Sequence, residues 1–374
     1  MSASPSPRIA DCFFDLVDPR MARTRRHALL DIVAIALCAV LAGAESWVEV
    51  EEWGEIKVDW LRTWLTLPNG IPSPDTFGRV FSRIDPDQLE TGFMRWAQLL
   101  AAGAPRTSGV VAIDGKTVRA AREHGESALH IVSAWASQSR LVRGQEAVDQ
   151  KSNEITAIPE LLGRLDLRGQ VVTIDAMGCQ TAIAQQIVGQ GGDYVLALKA
   201  NHPDLFGNVG DSFALADATA IARTRSVEKG HGRIEVRTCR TITDAATLAW
   251  LNPAGVWPKL TCIAEVVGER RIDGVSTRHT RYYLSSLPGD ARTVAKAVRS
   301  HWGIENQVHW VLEMAFREDL NRSRMGHGAE NLALIRKRAL NLLRADPTRK
   351  IGVKGSRLKA GWDNDYLLHV PGVK

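Results

Sequence analysis

The sequence predicts an α/β protein in which helices layer a central sheet, preceded by a helical N-terminal region. Three observations predict it. Residues 110–113 and 171–174 are short β-branched apolar runs, each ending at an aspartate, Asp114 and Asp175. Runs of that length and composition read as buried strands. Between residues 109 and 199 the periods run strand, strand, strand, helix, strand, helix, strand, whereas the first hundred residues are almost wholly helix-like.

Taken in order, an apolar helix is expected over 29–41, then a second holding Trp47, Trp53, Trp60 and Trp64. After the turn residues Pro68-Asn69-Gly70, Ser73 suits an N-cap and Pro74 the first helical position. That helix covers 75–83, and another follows Asp85-Pro86 over 87–101. Short helices joined by tight turns fit a helix-turn-helix DNA reader and fit a plain helical packing domain equally well. Beyond the first strand, strands are expected over 129–136, 141–148 and 194–198, with helices over 155–165 and 181–188. Residues 203–287 read as a β-rich insertion with strands over 233–243, 260–267 and 278–284. Helix returns over 291–316 and 329–344. The expected division is therefore 1–105, helical; 106–202, first part of the core; 203–287, insertion; 288–345, helical second part of the core; and 346–374, a basic tail.

Composition bounds the function. The chain has 374 residues, 45% of them hydrophobic and 24% charged, an ordinary globular balance. The longest apolar run, 32–44, falls short of the ~20 residues a membrane span needs and reads as a core helix. The first ten residues lack the charged-then-apolar pattern of an export signal. Five scattered cysteines, none in a C-x-x-C pair, give neither a disulfide framework nor a zinc knuckle and suit a reducing cytoplasm. Net charge is +5, unevenly spread: residues 1–105 carry 10 Lys/Arg against 14 Asp/Glu, and residues 287–374 carry 16 against 9. The basic C-terminal part could neutralise phosphates; a solvated basic surface accounts for it equally well.

The carboxylates carry the chemistry. Asp114 and Asp175 each follow a strand and precede small residues; strand ends in an α/β sheet are where ligands bind. Two such ends side by side would suit a hard divalent cation, although an aspartate there can also cap a turn. In the helix 291–316, Val294, Val298, Trp302, Val308, Leu312 and Phe316 form an apolar stripe. Glu305 is expected on that stripe, flanked one turn away by His301 and His309. A carboxylate facing a core is costly unless paired or metal-bound. Three carboxylates from two strands and a helix fit two-metal phosphoryl transfer, in which one ion activates the attacking oxygen and the other stabilises the leaving one.

These residues resemble the ISAs1 family of bacterial insertion-sequence transposases, which includes the H-repeat-associated proteins. The resemblance runs through Asp18-Pro19-Arg20, Arg26-His27 and Gly70-Ile71-Pro72-Ser73, then Ile113-Asp114-Gly115-Lys116, Thr173-Ile174-Asp175-Ala176 and Tyr194-Val195-Leu196-Ala197-Leu198-Lys199. Its most specific part is His301-Trp302-Gly303-Ile304-Glu305-Asn306, continuing through His309-Trp310 to Phe316-Arg317-Glu318-Asp319. It implies an RNase H-like catalytic core with Asp114, Asp175 and Glu305 as catalytic triad and metal ligands. It also implies two Mg²⁺ ions, with Mn²⁺ able to substitute, and cleavage at element ends followed by strand transfer. The implied partners are terminal-repeat and target DNA and a second copy of the chain, in a bacterial cytoplasm and at the nucleoid when DNA is bound. The related IS4 group carries a Tyr-Arg-Glu-Lys signature around its glutamate, but here Val298, His301 and Leu312 stand where Tyr, Arg and Lys would be. His301, His309 and Asp319 are then the local candidates for DNA contacts. Lys116, Arg119 and Lys199 lie near the expected site and could hold phosphates or serve the surface. In the insertion, His231-Gly232-Arg233-Ile234-Glu235-Val236-Arg237 is also family-like. Arg233, Glu235 and Arg237 share a strand face, consistent with a DNA contact or a solvated hairpin.

Two motifs mislead. Gly109…Gly115-Lys116-Thr117 has P-loop spacing one residue too long, with a strand between the glycines, so no ATP is expected. His301-x-x-x-Glu305-x-x-x-His309 has helical zinc-ligand spacing but not the H-E-x-x-H arrangement. The rival functions are a transposase-derived protein that binds DNA without cutting it, and a nuclease that cuts without joining.

Overall fold

The computed structural model describes residues 9–100, 108–119, 128–148, 153–230, 232–348 and 350–370. His231 therefore lies outside the described residues. The N-terminal region is helical: α1 (Ile9–Cys12), α2 (Leu29–Leu41), α3 (Trp47–Ile56), α4 (Val58–Leu61), α5 (Pro74–Phe81) and α6 (Pro86–Leu100). Ser46 caps α3 and Ser73 caps α5, the latter with Pro74 in the first turn. In α2 every residue from Asp31 to Leu41 is buried, so this helix has no solvent face.

The remaining chain builds β1 (Val110–Thr117), β2 (His130–Ala136), β3 (Leu141–Val148), α7 (Glu154–Gly163), β4 (Val171–Ile174), α8 (Thr181–Gly189) and β5 (Asp193–Leu198). Then come α9 (Pro203–Leu215), β6 (Ala222–Gly230), β7 (Arg233–Ile242), α10 (Ala245–Leu251), β8 (Cys262–Ile272) and β9 (Val275–Ser285). The chain closes with α11 (Ala291–Ile304), α12 (Trp310–Phe316), α13 (Gly328–Ala345), α14 (Val353–Trp362) and α15 (Asn364–His369).

Among the described residues nine strands make one sheet, ordered β3-β2-β1-β4-β5-β9-β8-β7-β6. The first three strands are antiparallel and β1, β4 and β5 are parallel, the arrangement of an RNase H-like core. The insertion strands continue this sheet, because β9 pairs antiparallel with β5 from Val195↔Ser285 to Leu198↔Tyr282. Four strands stand where three were expected. β6 reads ARTRSVEKG and is exposed along almost its whole length, so it shows no apolar alternation; charged residues at a sheet edge also discourage further pairing.

Strand parity splits the core. Val111 and Ile113 of β1 pack with α7 and α8 on one face. Ala112 belongs to the other face, in a core shared by α2, α5, α6, α12, α13, α14 and α15. The N-terminal helices and the C-terminal helices thus bury one continuous apolar interior.

One expectation fails at the C-terminus. Residues beyond 346 were expected as a tail, yet α14 and α15 fold back, with Leu367 and Val370 in the core and Arg357 buried. Arg357 donates from Nε and Nη2 to Val40 O at 3.1 and 2.8 Å, from Nη2 to Ala44 O at 3.2 Å, and from Nη1 to Ala315 O. The basic residue that suggested a solvated tail is instead a strut.

Candidate active site

Sheet register creates the site. Ile113 of β1 lies opposite Ile174 of β4 in parallel pairing, so Asp114 and Asp175, one residue further on, sit at adjacent strand positions. Alternation puts Asp114 on the face of Ala112 and Asp175 on the face of Thr173, both toward α11. There Thr173 Oγ1 lies 3.0 Å from His301 Nδ1, tying β4 to that helix.

Glu305 arrives from the opposite side of the same cavity. Asp114, Asp175 and Glu305 line a cavity of about 180 Å³ together with Lys199, Arg281, His301 and Trp302. Asp114, Glu305 and His309 each present a ligand atom within 4.8 Å of the others. His309 Nδ1 is 3.5 Å from Asp114 Oδ2 and 4.0 Å from Glu305 Oε2. Asp175 stands at the cavity wall, its Oδ1 accepting from Met177 N–H at 3.0 Å.

The expected burial of Glu305 on the apolar stripe is corrected here. Its side chain is 54% exposed, and Ile304 is the fully buried neighbour. The reason is that Glu305 shares the α11 face of Val298 and His301, and that face opens onto the cavity they line; a π-helical turn over Glu305–His309 then joins α11 to α12. The wider turn interrupts the 3.6-residue period for the residues that follow Glu305; such turns recur at functional sites.

Electrostatics favour a cation. Burial, reinforced by Glu305, Asp175 and Glu154, pushes the Asp114 carboxyl up to about 8. Burial also pulls His309 down to about 3, helped by Lys337 and Lys116, so the imidazole is neutral. His301 is lowered by burial as well, against the attraction of Asp175. Carboxylate oxygens that converge and suppress the ionisation of Asp114 fit a hard divalent ion with oxygen ligands.

Other named residues are distributed unevenly. Lys199 is exposed at the cavity. Lys116 is turned away from it: Nζ contacts Glu318 Oε2 at 2.9 Å and Asp319 Oδ1 at 3.5 Å, with the lysine side chain only 17% exposed. Arg119 also meets Asp319, at 3.5 Å. On β7, Arg233 pairs with Glu235 at 2.9 Å, and Arg237 pairs with Glu235 and with Glu228, the latter at 3.0 Å.

Sequence reasoning missed several neighbours. His130 Nε2 and Glu154 Oε1 pair at 2.7 Å beside Asp114, and a Cβ on Gly115 would meet both at 2.3 Å. Nothing in the sequence joins these two, since only the fold brings β2 and α7 together. Arg281 lies over the Trp302 ring at 4.7 Å; the alternation Arg281, Tyr283 along β9 was a readable sign that both face one side.

An RNase H-like sheet with two strand-end aspartates lining one cavity with a helix-borne glutamate is the architecture a DDE transposase domain would present. The chain belongs to the Transposase DDE domain family, which matches residues 105–342, and residues 10–97 match the DDE_Tnp_1-associated family. It is 39% identical over 366 residues to "Putative transposase YncI" of Escherichia coli O157:H7, covering 92% of this chain and 89% of that protein. It is 37% identical to "H repeat-associated putative transposase YhhI" of Escherichia coli (strain K12), covering 92% of each. An uncharacterized protein from the dhlA 3′ region of Xanthobacter autotrophicus is 45% identical over 296 residues, 78% of this chain and 97% of its own. Membership implies a transposase, DNA as partner and use of divalent metal. Among the described residues no helix is long and apolar enough to cross a membrane.

Proposed function

We propose that this chain is an insertion-sequence transposase that cleaves DNA at the ends of its element and joins the freed 3′-hydroxyl to target DNA. The single observation that carries the reading is the register Ile113↔Ile174, which aligns Asp114 and Asp175 on the face that Glu305 meets. Asp114, Asp175 and Glu305 are the residues that would hold two Mg²⁺ ions. When bound, the metal lowers the pKa of the attacking water or hydroxyl and stabilises the leaving oxygen.

The chain's own residues position the reactants. His309, neutral and buried, stands against the Asp114 carboxyl with its Nδ1 3.5 Å from Oδ2. His301 anchors the turn before Glu305 to β4 through Thr173. Lys199 stands where a strand phosphate would enter, and Arg281 on Trp302 forms the opposite wall. Two element ends must be brought together, so the active form is a homodimer on DNA at the nucleoid.

The test is incubation with the element's own end sequences and a short target duplex in Mg²⁺ or Mn²⁺. Wild type should yield nicked ends and joined product. Asp114→Asn, Asp175→Asn and Glu305→Gln should each lower both products by at least about 10³-fold while end binding persists. Cleavage by Glu305→Gln at the wild-type rate would sink the triad assignment; cleavage with no joined product would make the protein a nuclease.

A further inference from the structure

A second cavity, of about 800 Å³, lies between the N-terminal helices and the segment joining α12 to α13. It shares no lining residue with the catalytic cavity. Five arginines line it: Arg79 from α5, Arg317, Arg322 and Arg324 from the connecting segment, and Arg336 from α13. The acidic residues in its wall are Glu45, Glu49 and Asp75. Glu49 already accepts from Glu45 N–H at 2.6 Å, and the Glu45 carboxylate meets Arg317 at 3.6 Å.

Arg336 is the telling residue. It is 1% exposed, and its Nη2 donates to Glu45 O at 3.0 Å, whereas Nε and Nη1 have no hydrogen-bond partner. Glu318 and Glu45 offset part of its charge, but buried idle donors are costly, and an anion would supply the acceptors they lack. The surroundings are built to receive one. α13 begins at this wall without a side-chain cap, although Gly328 N–H already donates to Met325 O at 3.0 Å, so the arginine side chains and not the helix end supply the donors. The basic loop is pinned in place, since His327 N–H donates to Ser82 O at 3.0 Å and Gly326, at φ +47°, approaches so closely that a Cβ would lie 2.4 Å from that same oxygen. Asn331 clamps the same corner from α13, donating to Phe81 O and Ile84 O at 2.8 and 2.9 Å.

We propose that this cavity is a second phosphate-binding site, in which the N-terminal helices and α13 together grip a DNA backbone phosphate away from the catalytic carboxylates. Arg336 is the floor of the site, and Arg322 and Arg324 are its exposed rim. The inference rests on the reading that the protein works on DNA, and it gives the N-terminal helices a part in holding that DNA.

The test is fluorescence anisotropy of a labelled duplex of about 30 base pairs with the full chain, repeated over a KCl series. The slope of log K against log salt counts phosphates neutralised, at about 0.9 per contact on duplex DNA. Arg322→Ala/Arg324→Ala, which alters only exposed side chains, should reduce the slope by about one to two and weaken binding roughly tenfold at moderate salt. Arg336→Met should weaken binding at least as much, with its fold checked by circular dichroism. Arg62→Ala/Arg168→Ala, which removes equal charge elsewhere, should leave the slope unchanged. If wild type binds no duplex, the DNA-processing reading itself fails. If wild type binds and the rim variant keeps its slope, or a folded Arg336→Met binds as tightly as wild type, the cavity is not a phosphate site. An equal loss in the Arg62/Arg168 variant would reduce the effect to general surface charge and overturn the proposal.

Discussion

Individual ionisable side chains in this protein do work that their neighbours impose on them. Glu330, in the first turn of α13, is half-buried near Asp87 and Glu90. Burial first, then those two carboxylates, pushes it up to about 7. Because its pKa is raised on folding, its stabilising contribution is complete below the unfolded value near 4.3 and is lost as pH rises through 7. Glu330→Gln should therefore raise the free energy of unfolding by roughly 1–3 kcal/mol at pH 8 and hardly at all near pH 4. Urea denaturation at the two pH values checks this. An equal gain at both would point to helix propensity rather than titration. Lys116 shows the same dependence on context: near Asp114 in sequence, it is spent on Glu318, which burial would neutralise but which Lys337 and Lys116 hold below the usual carboxylate range.

The helix that brings Glu305 to the sheet depends on a glycine. Gly303 lies in the last turn of α11, and a Cβ there would come within 2.3 Å of two ring carbons of Trp135 on β2. Glycine in a helix normally costs about 1 kcal/mol relative to alanine, so the substitution would help if the space were free. Trp135 is 4% exposed and cannot swing away. Gly303→Ala should thus destabilise the protein by about 1–3 kcal/mol, the usual cost of overpacking. It should lower DNA cleavage further still, because Glu305 is only two residues away. Wild-type cleavage in this variant would mean that the α11–β2 contact does not set the position of Glu305. An apolar stripe traced through 291–316 placed Glu305 too deep because the face it shares with Val298 and His301 opens onto a cavity there, and the π-helical turn that follows shifts only the later residues.

Across the molecule, the two chain ends hold one another. Arg357 in α14 reaches carbonyls of α2, of the residues just after it, and of α12, and stacks 4.2 Å from the Phe316 ring. Arg357→Met keeps most of the stem but removes the buried donors to Ala44 O and Ala315 O and leaves Val40 O only Gly43 N–H, at a cost of about 2–4 kcal/mol. Its urea midpoint should fall, and protease should cut the C-terminal helices and the N-terminal helices together rather than in separate steps. Release of the C-terminal segment alone would show that the shared core is not cooperative.

Much of the architecture was legible in local patterns. Strand-period runs ending at Asp114 and Asp175 foretold a layered sheet, the N-terminal helices followed their caps, and the named triad residues do line one cavity. Periodicity and capping are properties of neighbours in sequence, so they survive without a fold. What required the folded chain depends on residues far apart: the continuation of the core sheet into the insertion, the edge strand β6, the π-helical turn under Glu305, and the His130–Glu154 pair. The packing of α14 and α15 and the arginine-lined cavity belong with them. Long-range pairing decides which polar residues meet, and no local period carries that information.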